Sequence, residues 1–273
     1  MSVQGKSSDH SAESLLDACV AAANAAAVLI RGAAQTVASL EWEEKSGSDF
    51  VTEVDRAAER EIAGVILAKF PEATIVGEEF SPGGMTSSPL AFVVDPLDGT
   101  TNFLHGYPEY SVSVAAVKSG DLTAGAVLDV AASELFTATA GGGAFLNGER
   151  ISVSKIHDAS RSLIGTGFPF KKRDLLPRYL REFDLVMRGT SGVRRAGSAA
   201  IDLASVACGR FDGFWELDLA PWDVAAGILL VREAGGVVSD LSGKEATVNF
   251  GGFVAGNPVI HRWLTDTISS AAE

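Results

Sequence analysis

A chain of 273 residues, 47% hydrophobic and 21% charged, can bury a large core, and its formal net charge is −13. Such a surface repels nucleic-acid phosphates and anionic lipid headgroups, which argues against either as a general partner. No basic stretch precedes an apolar run at the N-terminus, and the apolar stretch 18–30 is short, alanine-rich and interrupted by Asn24, so neither a signal peptide nor a membrane span is expected and the cytoplasm is the expected compartment.

Residues 1–10 are small and polar and predict a flexible tail. Ser11 can cap a helix whose apolar stripe is Leu15, Cys19, Ala22, Ala26, Leu29 and Ala33. A polar stretch, 41–49, leads into a second helix from about Arg56 to Phe70, stopped by Pro71. Short apolar runs at 74–76, 90–94, 111–117, 124–130 and 134–140 predict strands, several of them spaced as an antiparallel meander with an Asn147-Gly148 hairpin turn. From Arg161 strands and helices alternate: a strand at 161–167, helices at 174–187, 198–209 and 222–234, short strands at 236–240 and 253–255, and a last helix from about Pro258. No linker divides the chain, so 11–273 is expected as one domain of mixed α/β (α+β) type with layered helices and sheets. Cys19 and Cys208 lie in apolar helical patterns without metal or redox spacing and are expected as free thiols.

The segment richest in chemistry is 90–103, Leu-Ala-Phe-Val-Val-Asp-Pro-Leu-Asp-Gly-Thr-Thr-Asn-Phe. An apolar strand ends at Asp95 and turns at once through Pro96, Asp98 and Gly99, at the carboxyl end where sheets of this type place their sites. Two carboxylates three residues apart can converge on one point, and hard oxygen ligands select Mg²⁺ or Mn²⁺ over zinc. Thr100 and Thr101 add hydroxyls and backbone donors suited to a phosphate or a water. The plain alternative is a solvated Asp-Pro-x-Asp-Gly turn. Three further acidic positions carry the same ambiguity. Glu78-Glu79 is a surface pair unless something positive faces it. Asp223, beside Pro221 in the first turn of an apolar helix, also complements the helix dipole. Asp55 reads as a helix N-cap.

Four blocks together carry a resemblance: 45–55 (Lys-Ser-Gly-Ser-Asp-Phe-Val-Thr-Glu-Val-Asp), 76–79 (Val-Gly-Glu-Glu), 94–103 and 222–227 (Trp-Asp-Val-Ala-Ala-Gly), extended by 105–108 (His-Gly-Tyr-Pro) and 197–200 (Gly-Ser-Ala-Ala). From about Leu15 onward the chain resembles the inositol monophosphatase family, the lithium-sensitive, metal-dependent sugar phosphatases related in fold to fructose-1,6-bisphosphatase. The resemblance implies a layered α-β-α-β-α sandwich, commonly dimeric. It implies that Glu78, Asp95 and the Leu97 carbonyl hold one Mg²⁺ and that Asp95, Asp98 and Asp223 hold a second. A third, weaker ion would be held through Glu78 and waters near Asp55, and Mn²⁺ can substitute. Thr100, hydrogen-bonded to Asp55, would orient the attacking water, so that Glu78, Thr100 and Asp55 are the catalytic set. The Gly99 and Thr100 amides would bind phosphate. Ser198, Ala199 and Glu216 would line the substrate pocket, with Glu216 on the hydroxyls of a small phosphorylated polyol; read on its own, Glu216 is equally a solvated loop acid. The loop from Lys45 to Asp55 is one residue shorter than in the animal enzymes, at the segment that helps hold the third ion. The substrate expected first is inositol 1-phosphate, with histidinol phosphate or fructose 1,6-bisphosphate as alternatives. Thr101 departs from the Asp-Gly-Thr-Lys form usual in nucleotide phosphatases. Some bacterial relatives act in RNA metabolism and transcription complexes, so regulation through protein partners is a further alternative; the local basic clusters at 171–173 and 188–195 suffice for a protein or a substrate contact.

Overall fold

The computed structural model describes residues 10–37, 42–46, 49–81 and 88–271, without the side chains of 42, 44–46 and 49–51. The N-terminal stretch expected as a tail lies outside the described residues up to residue 9, as do the side chains around Lys45.

Helix α1 (Ala12–Ala34) begins where Ser11 Oγ accepts from the Ser14 amide at 3.3 Å, and α2 (Glu53–Lys69) packs beside it. The buried stripe of α1 is Leu15, Cys19, Ala22, Ala26 and Ile30, whereas Leu29 faces outward. By length and composition α1 could cross a membrane, contrary to the expectation from 18–30 alone. Its apolar side is instead spent on the sheet, against Phe92, Val112 and Ala126. Cys19 and Cys208 are both free thiols.

Helix α2 starts three residues before the expected Arg56. Thr52, not Asp55, is its N-cap: Asp55 stands at the third helical position and accepts from the Thr52 amide at 2.8 Å, closing a capping box. That geometry takes Asp55 off the helix end and buries it.

Seven strands form the first sheet in simple order: β3 (Thr74–Gly77), β4 (Leu90–Asp98), β5 (Ser111–Lys118), β6 (Asp121–Asp129), β7 (Glu134–Thr139), β8 (Gly143–Leu146) and β9 (Glu149–Arg150). β3 runs parallel to β4 and every later pair is antiparallel. A small hairpin, β1 (Trp42–Ser46) with β2 (Asp49–Thr52), precedes α2. The expected turn at Asn147-Gly148 joins β8 to β9, with φ of 49° and 84° as a two-residue turn of the primed kind requires. β4 extends past Asp95 to Asp98, farther than the apolar run predicts, and its pairing with β5 slips between those residues. A bulge there accommodates Pro96, which has no amide to donate, and re-aims the side chains on either side.

After the short helix α3 (Thr100–Leu104), the second half supplies β10 (Leu163–Thr166), α4 (Leu176–Gly189), β11 (Gly192–Arg194), α5 (Ala199–Ala207), β12 (Gly213–Leu219), α6 (Pro221–Glu233), β13 (Val237–Asp240), β14 (Gly251–Gly256) and α7 (Pro258–Ser270). The five strands are ordered β11-β10-β12-β14-β13, mixed parallel and antiparallel. Strand β12, which carries Glu216, has no counterpart among the elements expected from the sequence. Its middle residues are an alternating Phe-Trp-Glu-Leu-Asp, short enough to be lost between two helices. Helices α1 and α2 cover the seven-stranded sheet, α5 and α6 lie between the sheets, and α4 and α7 cover the five-stranded sheet. The result is the expected α-β-α-β-α sandwich.

Candidate active site

The carboxyl ends of β3, β4, β10 and β12 and the first turns of α5 and α6 open onto one cavity of about 790 Å³. Glu78, Asp95, Leu97, Asp98, Gly99, Thr100, Ser198, Ala199, Glu216 and Asp223, all singled out in the sequence, line it together. Asp55 stands behind this surface, reached through Thr100, whose Oγ1 lies 3.0 Å from Asp55 Oδ1 and 3.1 Å from the Leu97 carbonyl.

Three of the aspartates are pinned by one oxygen each. Asp95 Oδ1 accepts from the Leu97 amide at 3.0 Å, inside the bulge. Asp98 Oδ2 accepts from Ser198 Oγ at 2.6 Å and from the Ala200 amide at 2.8 Å, at the N-terminus of α5. Asp223 Oδ2 accepts from the Ala220 amide at 2.7 Å, at the start of α6. The second oxygen of each is left to the cavity. Gly99 has φ of 93°, and a Cβ there would come within 2.8 Å of the Glu109 carbonyl, so the turn after Asp98 requires glycine. Ser198 is fully buried, its hydroxyl engaged by Asp98 and 3.2 Å from Ser111 Oγ.

Electrostatics sets these acids against one another. Burial, then repulsion from Glu78, Asp98 and Asp223, holds Asp95 far above the usual carboxylate range. Burial lifts Asp98 to about 6, opposed by its bonds to Ser198 and Ala200. Burial and the charges of Asp98 and Glu78 lift Asp223 to about 8. Burial also raises Asp55, against its hydrogen bonds from Thr52 and Thr100. Among the described residues no three His, Cys, Asp or Glu side chains close up into a finished cage. Like charges oppose such closure, and Mg²⁺ asks only for one or two carboxylates with retained waters. The donor set of carboxylate and carbonyl oxygens, each aspartate offering one uncommitted oxygen, fits a hard divalent cation.

Sequence reasoning missed two contributors, Glu59 and Asp202, and left open where the basic clusters fall. Glu59, one turn after Asp55 on α2 and buried, accepts from the amides of Glu79 and Phe80 at 2.7 and 3.1 Å and so fixes the loop that presents Glu78. The i, i+4 spacing from Asp55 was its only signal. The loop 167–172 brings Lys171 Nζ to 3.9 Å from Glu78 and Lys172 Nζ to 2.7 Å from Asp218, while the Arg195 guanidinium lies over the rings of Phe168 and Phe170, at 5.3 and 4.9 Å from their centres. The two basic clusters noted in the sequence thus meet at the cavity rim. The other missed contributor is Asp202, in the cavity wall on α5.

Two sheets between helix layers, with an acid-lined cavity at their strand ends, define a layered α/β phosphatase. The chain belongs to the inositol monophosphatase family, whose model matches residues 11–273. It is 45% identical over 258 residues to Nus factor SuhB of Pseudomonas aeruginosa, covering 93% of this chain and 95% of that one. It is also 45% identical over 232 residues to inositol-1-monophosphatase of Rhizobium meliloti, covering 85% and 87%. Among solved structures, the extragenic suppressor protein suhB from Bartonella henselae superposes with a TM-score of 0.87 at 40% identity, covering 92% of this chain and 97% of that one.

Proposed function

We propose that this phosphatase hydrolyses inositol 1-phosphate, using two to three Mg²⁺ ions for which Mn²⁺ can substitute. The observation that carries the reading is the set of three pinned aspartates, each with one oxygen turned to the same cavity beside Glu78 and the Leu97 carbonyl. Bound there, divalent cations would lower the pKa of a water and neutralise the transferred phosphoryl group. Glu78, Asp95 and Leu97 would hold one cation and Asp95, Asp98 and Asp223 another. Glu78, Thr100 and Asp55 would place the attacking water, with Asp55 accepting from the Thr100 hydroxyl and so fixing where that oxygen points. The Gly99 and Thr100 amides would take the phosphate oxygens, and Ser198 and Ala199 would shape the pocket floor. Glu216 would accept from polyol hydroxyls. The cations at the rim, Lys171, Lys172 and Arg195, favour entry of an anion into an acidic protein.

We further read residues 11–273 as one functional unit, cytoplasmic and homodimeric, inhibited by Li⁺. Two kinds of relative, one called an inositol-1-monophosphatase and the other a Nus factor, keep a second role through protein partners open; the charge of −13 disfavours direct nucleic-acid binding. Phosphate release from inositol 1-phosphate, histidinol phosphate and fructose 1,6-bisphosphate, with Mg²⁺, ranks the substrates. Inositol 1-phosphate is expected to have the highest kcat/KM, and a clear preference for either of the others would reassign the substrate.

A further inference from the structure

Asp202 stands in the first turn of α5, is 1% exposed and lines the cavity. Its Oδ1 is the sole buried side-chain nitrogen or oxygen among the described residues that has no hydrogen-bond partner. A buried carboxyl left unpaired destabilises a fold, and such groups mark places where the missing partner comes from outside the chain. Its neighbours do not supply one: Glu216, Asp98 and Glu109 face it as like charges and Arg195 as the opposite charge. Glu216 occupies the same wall from β12. Its carboxyl packs so tightly on Gly167 that a Cβ there would lie 2.0 Å away, so the backbone of 167 has been kept clear for it. Rotation about the Cβ–Cγ bond of an aspartate is soft, so either Asp202 oxygen can turn to the cavity.

We propose that Asp202 binds a substrate hydroxyl beside Glu216, making the α5–β12 wall a two-carboxyl reader of neighbouring hydroxyls on a phosphorylated polyol. Burial, with the charge of Glu216 for Asp202 and that of Asp223 for Glu216, holds both acids well above the usual range, which suits the role: a carboxyl that keeps its proton donates and accepts, as a hydroxyl does. This assignment rests on the phosphatase reading above.

The test uses the full chain with Mg²⁺ and two substrates, inositol 1-phosphate and phenyl phosphate, the second having no hydroxyls to read. For Asp202→Leu, kcat/KM on inositol 1-phosphate is expected to fall about tenfold, mainly through KM, with phenyl phosphate within about twofold of wild type. Asp202→Asn keeps the shape and one acceptor and should fall between, and it decides the matter if the leucine variant does not fold. Both variants should melt no lower than wild type, since an unpaired buried acid has been removed. Equal losses on the two substrates, or no loss on either, overturn the role of Asp202 while leaving the phosphatase reading standing. A wild-type protein that turns over neither substrate with Mg²⁺ sinks the phosphatase reading, and Asp202 falls with it.

Discussion

The two walls of the cavity hold their acids in opposite ways. On β4 and α6, Asp95, Asp98 and Asp223 each give one oxygen to a backbone amide, and Asp98 takes a serine hydroxyl as well. On α5 and β12, Asp202 has an orphaned oxygen and Glu216 is held by packing against Gly167. Pinned carboxyls keep one geometry whatever substrate arrives, which the placement of cations and water demands. Carboxyls without fixed partners take their geometry from the ligand, which is what discrimination among polyols needs. On the proposed reading, chemistry and selectivity would be separated within one cavity.

The comparison is broken most forcefully at Asp95. Asp95→Asn removes charge from the residue shared by both proposed cation positions and is expected to lower kcat/KM by about a hundredfold or more on every substrate. A loss of less than about tenfold in steady-state kinetics would contradict its central place. Asp223→Asn should also abolish turnover while leaving the fold intact, because asparagine keeps an acceptor for the Ala220 amide. A drop in melting temperature of the chelated protein would show that the residue serves the helix more than the site.

The pinned wall should also reveal itself in pH. Asp223 stands at about 8 in the fold against an ordinary 3.8, and Asp98 at about 6 against the same value. Between those limits the folded chain holds protons that the unfolded chain has released, so without cations stability falls as pH rises through the window. If Asp98 and Asp223 hold Mg²⁺ as proposed, the cation would take the place of those protons, so the gain in melting temperature over a chelated sample should be small near about pH 5 and grow toward about pH 8. A gain that does not change with pH would contradict the pinned wall as the cation site.

Smaller effects sharpen the other wall. Burial and then the charge of Asp223 push the Glu216 carboxyl well above the usual range, which weakens any charge-assisted bonding, so the loss on Glu216→Gln is expected to be that of ordinary hydrogen bonds, about three- to tenfold on inositol 1-phosphate and near none on phenyl phosphate. Gly167→Ala would push the Glu216 carboxyl aside and should reproduce that selective loss without lowering the melting temperature. Equal losses on both substrates would place Glu216 in general support of the site.

Much of the pinned wall is legible because it is written locally. Asp95 and Asp98 share one bulged strand end, and Asp223 and Pro221 share one helix turn, so short motifs carry them. Glu59 and Asp202 carry no such mark. Glu59 is one of several acids on a charged helix and Asp202 the single acid of an apolar one, and the meaning of each comes from what packs on it: the 79–80 amides in one case, the cavity wall in the other. Asp98 and its holders on α5 lie about a hundred residues apart, a distance no local pattern spans. The same reasoning explains the mistaken cap at Asp55. Thr52 and Asp55 both suit an N-cap, and only the reciprocal bond decides between them.

The most direct test of the account is phosphate release from inositol 1-phosphate by the purified wild-type chain before chelation, after exhaustive chelation, and after return of Mg²⁺. Activity should vanish on chelation and return with Mg²⁺ in the millimolar range, as expected where carboxylates and waters share a hard cation. Full activity in the chelated protein would contradict the assignment of Asp95, Asp98 and Asp223 to cations.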